Sequence, residues 1–143
     1  MFIQKGEIVE NSHIGEFYLG MPMEQLLTLI GSDYVESEKN NSCLIIEIEN
    51  AKFWLDKNNN LVRQIGVTTG FQGKFREVIG IDSTMADVKK YIGEYVEVYD
   101  TFELADIPGI CFELVDDVDQ WPNDYWNDLE APIEWIFVYD LDF

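Results

Sequence analysis

Positive charge is what this sequence runs out of. From Tyr91 to Phe143 there is no Lys, Arg or His, yet the same 53 residues hold 15 Asp and Glu. All 9 basic residues fall in the first 90 positions, against 13 acidic ones, so the formal charge is −4 before Tyr91 and −15 from there on. A pI near 4.1 argues against a nucleic-acid-binding surface, because phosphates would be repelled. It also disfavours anionic membranes. Histidine is scarce, with His13 alone, and there are only two cysteines, Cys43 and Cys111. Transition-metal sites need clusters of these residues, so none is expected. Two thiols inside strand-like segments read as buried side chains of a reduced, cytosolic protein. No apolar run approaches the roughly 18 residues of a membrane helix. The stretch Met1-Phe2-Ile3-Gln4-Lys5-Gly6-Glu7 has no apolar run followed by a small-residue cleavage site. The expectation is a soluble, cytoplasmic protein.

What is present suffices for a core. Hydrophobic residues make up 47% of the chain and aromatics 14%, which argues against a disordered acidic tail. At 143 residues one domain is expected, 1–143. It should bury roughly 70% of the surface that its unfolded form exposes. Within it the chain repeats at an offset of about 62, suggesting a duplication of 1–73 by an acidic half, 74–143. Leu19 to Gly31 aligns with Ile81 to Gly93, and Tyr34-Val35-Glu36 with Tyr95-Val96-Glu97.

Each aligned segment predicts a short helix. Met23, Leu26, Leu27 and Ile30 share one face, as do Met85, Val88 and Ile92. Pro22 suits a helix start, Thr84 with Asp87 forms a capping-box pattern, and Gly31 and Gly93 are stop signals. Strands are predicted at Cys43 to Glu49, Ala51 to Leu55 and Leu61 to Thr69, with a turn at 56–60 and a joint at Phe71 to Lys74. In the second half the candidates are Tyr95 to Tyr99, Ile110 to Val115 and Glu134 to Asp142. In the last, Trp135, Phe137, Tyr139, Leu141 and Phe143 share one face, while Glu134, Asp140 and Asp142 lie on the other with Ile136 and Val138, implying one packed face and one facing water. The predicted class is α+β: two similar halves, each a short helix followed by an antiparallel meander, with the sheet packed on helices.

Catalytic signals are sparse. His13 has no placed partner, and no nucleophile elbow or phosphate loop appears. Carboxylate pairs such as Glu113 with Asp116 or Asp117 could run glycoside chemistry, but 28 acids make such pairs uninformative. No enzyme and no cofactor are expected. Asp116, Asp117 and Asp119 offer hard oxygen ligands, and Asp56-x-Asn58-x-Asn60 imitates a calcium loop. The first lacks the glycine at position six that such a loop uses, and the second has Leu61 there and Val67 where the terminal glutamate belongs. No metal site is assigned.

The segment from Asp116 to Glu130 carries the strongest functional signal. Asp116, Asp117, Asp119, Asp124, Asp128 and Glu130 surround Trp121, Tyr125 and Trp126, with no cation. Pro122, Asn123 and Asn127 mark a long connection, and such loops are often functional. Large aromatics anchor protein interfaces, while charge sets encounter rate and partner choice. The acids would pair with a partner's Lys and Arg, and Trp121 and Trp126 would anchor it. The partner is then a basic protein, and the charge favours a monomer until it binds.

The Leu19-Gly20-Met21 and Ile79-Gly80-Ile81 helix openings, the Ile107-Pro108-Gly109-Ile110-Cys111-Phe112-Glu113-Leu114 strand and the acidic, aromatic second half resemble immunity proteins of bacterial polymorphic toxins. Those of contact-dependent growth inhibition are the nearest type. The resemblance implies a cytoplasmic inhibitor of a basic cognate toxin, such as a nuclease. The doubled helix-and-meander pattern is also similar to the tandem fold of secreted β-lactamase inhibitor proteins. Two other readings fit the residues: an acidic DNA mimic or antitoxin-like regulator of a basic nucleic-acid-binding protein, and a calcium-dependent binding module.

Overall fold

A computed structural model of the chain describes residues 2–38, 42–116 and 127–143. Helix α1 spans Met23–Ile30 and helix α2 spans Met85–Tyr91. In α1, Leu26 and Ile30 are buried one turn apart, and Gly31 ends the helix at φ 78°. The start of α2 is locked by its sequence: Thr84 Oγ1 accepts from the Asp87 N–H at 3.2 Å, and Asp87 accepts from the Thr84 N–H at 3.0 Å. Met85 and Val88 are its buried residues.

Most of the chain is strand. A small sheet holds β1 (Ile8–Val9), β2 (His13–Ile14) and β3 (Phe17–Tyr18). The main sheet takes β4 (Val35–Glu38), β5 (Cys43–Ile48), β6 (Ala51–Asp56) and β7 (Val62–Val67) from before α2. From after it come β8 (Tyr95–Val98), β9 (Thr101–Leu104), β10 (Ile110–Leu114) and β11 (Ile133–Tyr139). The strand order is β4-β5-β6-β7-β11-β10-β9-β8, antiparallel throughout. Each meander ends at the centre, where β7 pairs with β11 through Gly66↔Phe137 and Ile65↔Val138.

This corrects the α+β expectation. Of the described residues 12% are helical and 42% are strand, so the fold is mostly β rather than a sheet packed on helices. The physical reason is coverage. An eight-residue helix is about 12 Å long, whereas eight strands span about 34 Å. The helices share the inner face of the sheet with the small sheet and the joint. Ile8, Ile14, Phe17, Phe71, Phe75 and Ile79 join Leu26, Ile30, Met85 and Val88 in one core with the inward strand residues. The N-terminal segment is tied down by Asn50, which is 1% exposed: it accepts from the Ile3 N–H at 2.9 Å and donates to the Ile3 carbonyl at 2.6 Å.

The alternation in β11 resolves with Ile136 and Val138 inward, both fully buried, and Trp135, Phe137 and Tyr139 on the opposite face. Both sets are apolar. The aliphatic pair fits the close-packed side, where β-branched residues fill space under helices and strands.

Candidate functional site

The outer face of the main sheet carries a second apolar cluster. Its buried members are Cys43, Trp54 and Phe137, with Ile45, Cys111 and Trp135 packed against them. All six belong to the sheet's own strands, so no other described helix or strand contributes to this cluster.

Gly66 sets its geometry. On β7 it lies between Lys52 of β6 and Phe137 of β11 in the register. A Cβ there would sit 2.6 Å from Phe137 Cδ1 and 3.4 Å from Trp135 Cε3, so the missing side chain lets both rings lie over the backbone. Trp135 and Phe137, two apart on one strand, stack at 5.7 Å with an 8° interplanar angle. Trp54 meets Phe137 edge-on at 5.7 Å. Lys52 reaches over the gap, placing Nζ 5.1 Å from the Trp135 ring centroid.

Carboxylates flank the aromatic patch on the β8 side. Glu103 accepts from the Tyr139 hydroxyl at 2.6 Å. Burial, and then this bond, push the Tyr139 hydroxyl pKa well up. Glu113 pairs across from Trp135. Its pKa is raised by desolvation first and by the neighbouring Glu134 second, with Lys52 pulling the other way. Cys111 lies between these acids, and burial, then Glu103 and Glu113, push its thiol up to about 12. That thiol is a poor nucleophile at neutral pH. Cys43 and Cys111 are separated by three strands, roughly 19 Å, so they do not pair in this fold.

Only part of the sequence-derived site falls among the described residues. Asp117, Asp119, Trp121, Asp124 and Trp126 lie outside them. Asp116 is exposed just after β10 and lines a cleft of about 430 Å³ with Glu97, Tyr99, Asp100 and Glu113. Asp128 is half-buried and accepts from the Tyr95 hydroxyl at 2.9 Å. That phenol is pushed up to about 12, first by burial and then by this bond. Glu130 is exposed in a turn whose N–H bonds to the Asn127 side chain. Asp116, Asp128 and Glu130 therefore form no cluster of their own. The sequence reading named Trp135 and Phe137 but missed Trp54, Glu103 and Glu134 as neighbours. For Trp54 and Glu103 the signal is outward strand parity, which becomes usable once the register is known; Glu134 has the parity of the inward Ile136, and it joins the acids only through the register shift opposite Glu113 and Leu114.

A cavity of about 820 Å³ lies between β1 and the joint. Charges of both signs line it, and Arg76 is tied to Glu10 at 2.8 Å. No nucleophile and base are paired there. Among the described residues, no group of three or more His, Cys, Asp or Glu is placed to hold a metal ion. The His13 ring lies 2.7 Å from its neighbour, Ser12 Oγ.

No protein-family model matches the chain, and no curated protein does. Among solved structures the fold is similar to that of a cysteine-rich secretory protein from Staphylococcus aureus. The TM-score is 0.51 at 9% identity, over 97% of this chain and 51% of that one. The chain thus spans about half the length of that protein. At this identity the likeness is one of fold. No described helix is long and apolar enough to cross a membrane.

Proposed function

We propose that this chain is a stoichiometric inhibitor that binds a basic protein, of the kind that gives a bacterial cell immunity to a toxin, and that it docks through the outer face of its main sheet. One observation carries this reading: an aromatic patch on a sheet face that no other described helix or strand covers, bordered by Glu103, Glu113 and Glu134, with no basic residue beyond position 90. Trp and Tyr anchor interfaces, and uncompensated carboxylates raise the encounter rate with a cationic partner. A nuclease binds phosphates through Lys and Arg, so an anionic face can occupy its cleft. The inhibitor needs no turnover of its own. Cytoplasmic residence belongs to the same proposal. In this reading Trp54 and Trp135 join Trp121 and Trp126 as anchors, with Asp116 beside Glu113 in the same cleft.

The test is co-expression with the protein encoded immediately upstream. A 1:1 complex that silences a basic toxin is expected. Its association should slow about tenfold or more between low and physiological salt. Capture of a chromosomal basic protein instead favours the regulator reading, which uses the same face. If no basic protein binds at any salt concentration, both readings fall.

A further inference from the structure

The two halves of the outer face differ in charge. On β5 to β7 the outward charges are Glu47, Lys52, Asp56 and Arg63, which cancel. Arg63 is further held 3.3 Å from Asp140. On β9 to β11 the charges are Glu103, Glu113 and Glu134, and these strands contain no Lys or Arg. None of the three makes an ion pair within 4 Å among the described residues. One cation crosses the boundary: Lys52 lies over the Trp135 ring, and its charge acts on Glu113. It too makes no ion pair among the described residues.

We infer that the sheet face takes its basic protein partner in one orientation, with apolar side chains over Trp54 and Phe137 and an arginine over Trp135 beside Glu113, in the place Lys52 now holds. This rests on the reading of the chain as a binder of a basic protein. The charge division fixes the direction, because a cationic rim meets compensation only on the β8 side. A guanidinium stacks flat on an indole and offers a fork to a carboxylate, which an ammonium cannot do. Displacing Lys52 therefore exchanges a weaker contact for a stronger one. Lys52 also returns to water on a flexible stem, without leaving a buried charge behind.

The test uses a hexa-arginine peptide titrated into the isotopically labelled protein at low salt, followed by NMR. The Trp135 indole and the Glu103 and Glu113 amides should move first. Glu113→Gln should weaken binding several-fold, while Glu47→Gln should change it less than twofold. Lys52→Met should strengthen binding several-fold. Lys57→Met removes the same charge elsewhere and should not. Shifts centred on β4 or the helices overturn the orientation, as do equal effects of the two glutamine variants or weaker binding by Lys52→Met. The peptide result does not depend on finding a cognate toxin. A co-purified basic partner that binds Trp135→Ala and Glu113→Lys unchanged overturns the orientation and the docking face but leaves standing that the chain binds a basic protein.

Discussion

The main sheet has two apolar faces that serve different ends. The inner face is closed by α1, α2, the small sheet and the joint, and its residues Phe53, Phe112, Ile65 and Ile136 have no exposed surface. The outer face has no second layer among the described residues. Its aromatics shield one another, leaving Trp54 8% and Phe137 9% exposed. Burial on the inner side stabilises the fold. On the outer side the same kind of residue is held in register by a strand and kept near the surface. Hydrophobicity alone does not separate the two roles; the presence or absence of a covering layer does.

The sharpest way to break this comparison is to truncate one ring on each face. Phe53→Ala should cost about 3–5 kcal/mol, read from urea denaturation. Trp135→Ala should cost only about 1–2 kcal/mol of stability but should abolish tight capture of the basic partner. Equal stability losses would mean that the outer patch is ordinary core.

Next in size is Gly66→Ala. Its Cβ would meet Phe137 at 2.6 Å, and Phe137 cannot swing inward past Ile136 and Val138. A loss of about 1–3 kcal/mol is expected from overpacking, with a changed near-ultraviolet spectrum as the Trp135–Phe137 stack opens. An unchanged spectrum would show that the rings do not depend on the gap.

The electrostatic effects are smaller and signed. Folding raises the Cys111 thiol from 9.0 to about 12. The folded state thus favours the protonated form. Its stabilising contribution is complete below pH 9 and is lost as pH rises toward 12. Cys111→Ala should flatten the alkaline fall in stability, and alkylation of the wild-type thiol at pH 8 should be slow. Glu113 behaves alike at lower pH: its pKa is raised, so its contribution is present below 4.5 and lost as pH climbs past that value. Glu113→Gln should therefore raise the melting temperature slightly at pH 7. Lys52→Met should push the Glu113 midpoint higher still, measured by side-chain carboxyl NMR.

Local signals in the sequence survive folding well. The capping residues Thr84 and Asp87, the stop at Gly31 and the alternation along β11 depend on neighbours within one turn or one strand, so the residues themselves specify them. What depends on long-range pairing was hidden. Nothing in Ile8, His13 or Phe17 announces a two-residue strand, or that such strands share with the helices the task of covering the inner face. Period-2 alternation identifies two faces in β11 but does not say which is covered, because Ile136 and Trp135 are both apolar. Around the candidate site, sequence distance hid the contacts: Tyr95, 33 residues away, holds Asp128, and Trp54 meets Phe137 from the other half of the chain.

The central seam has a consequence for synthesis. Val67 finds its partner in Ile136, which is made 69 residues later. At about 5–20 residues per second a ribosome needs roughly 3–14 s to deliver it. Throughout that interval the first meander shows a bare, apolar ladder edge to its neighbours on the polysome, the kind of edge that templates aggregation. The stretch translated meanwhile is the strongly anionic one, so mutual repulsion between nascent chains grows while that edge is unguarded.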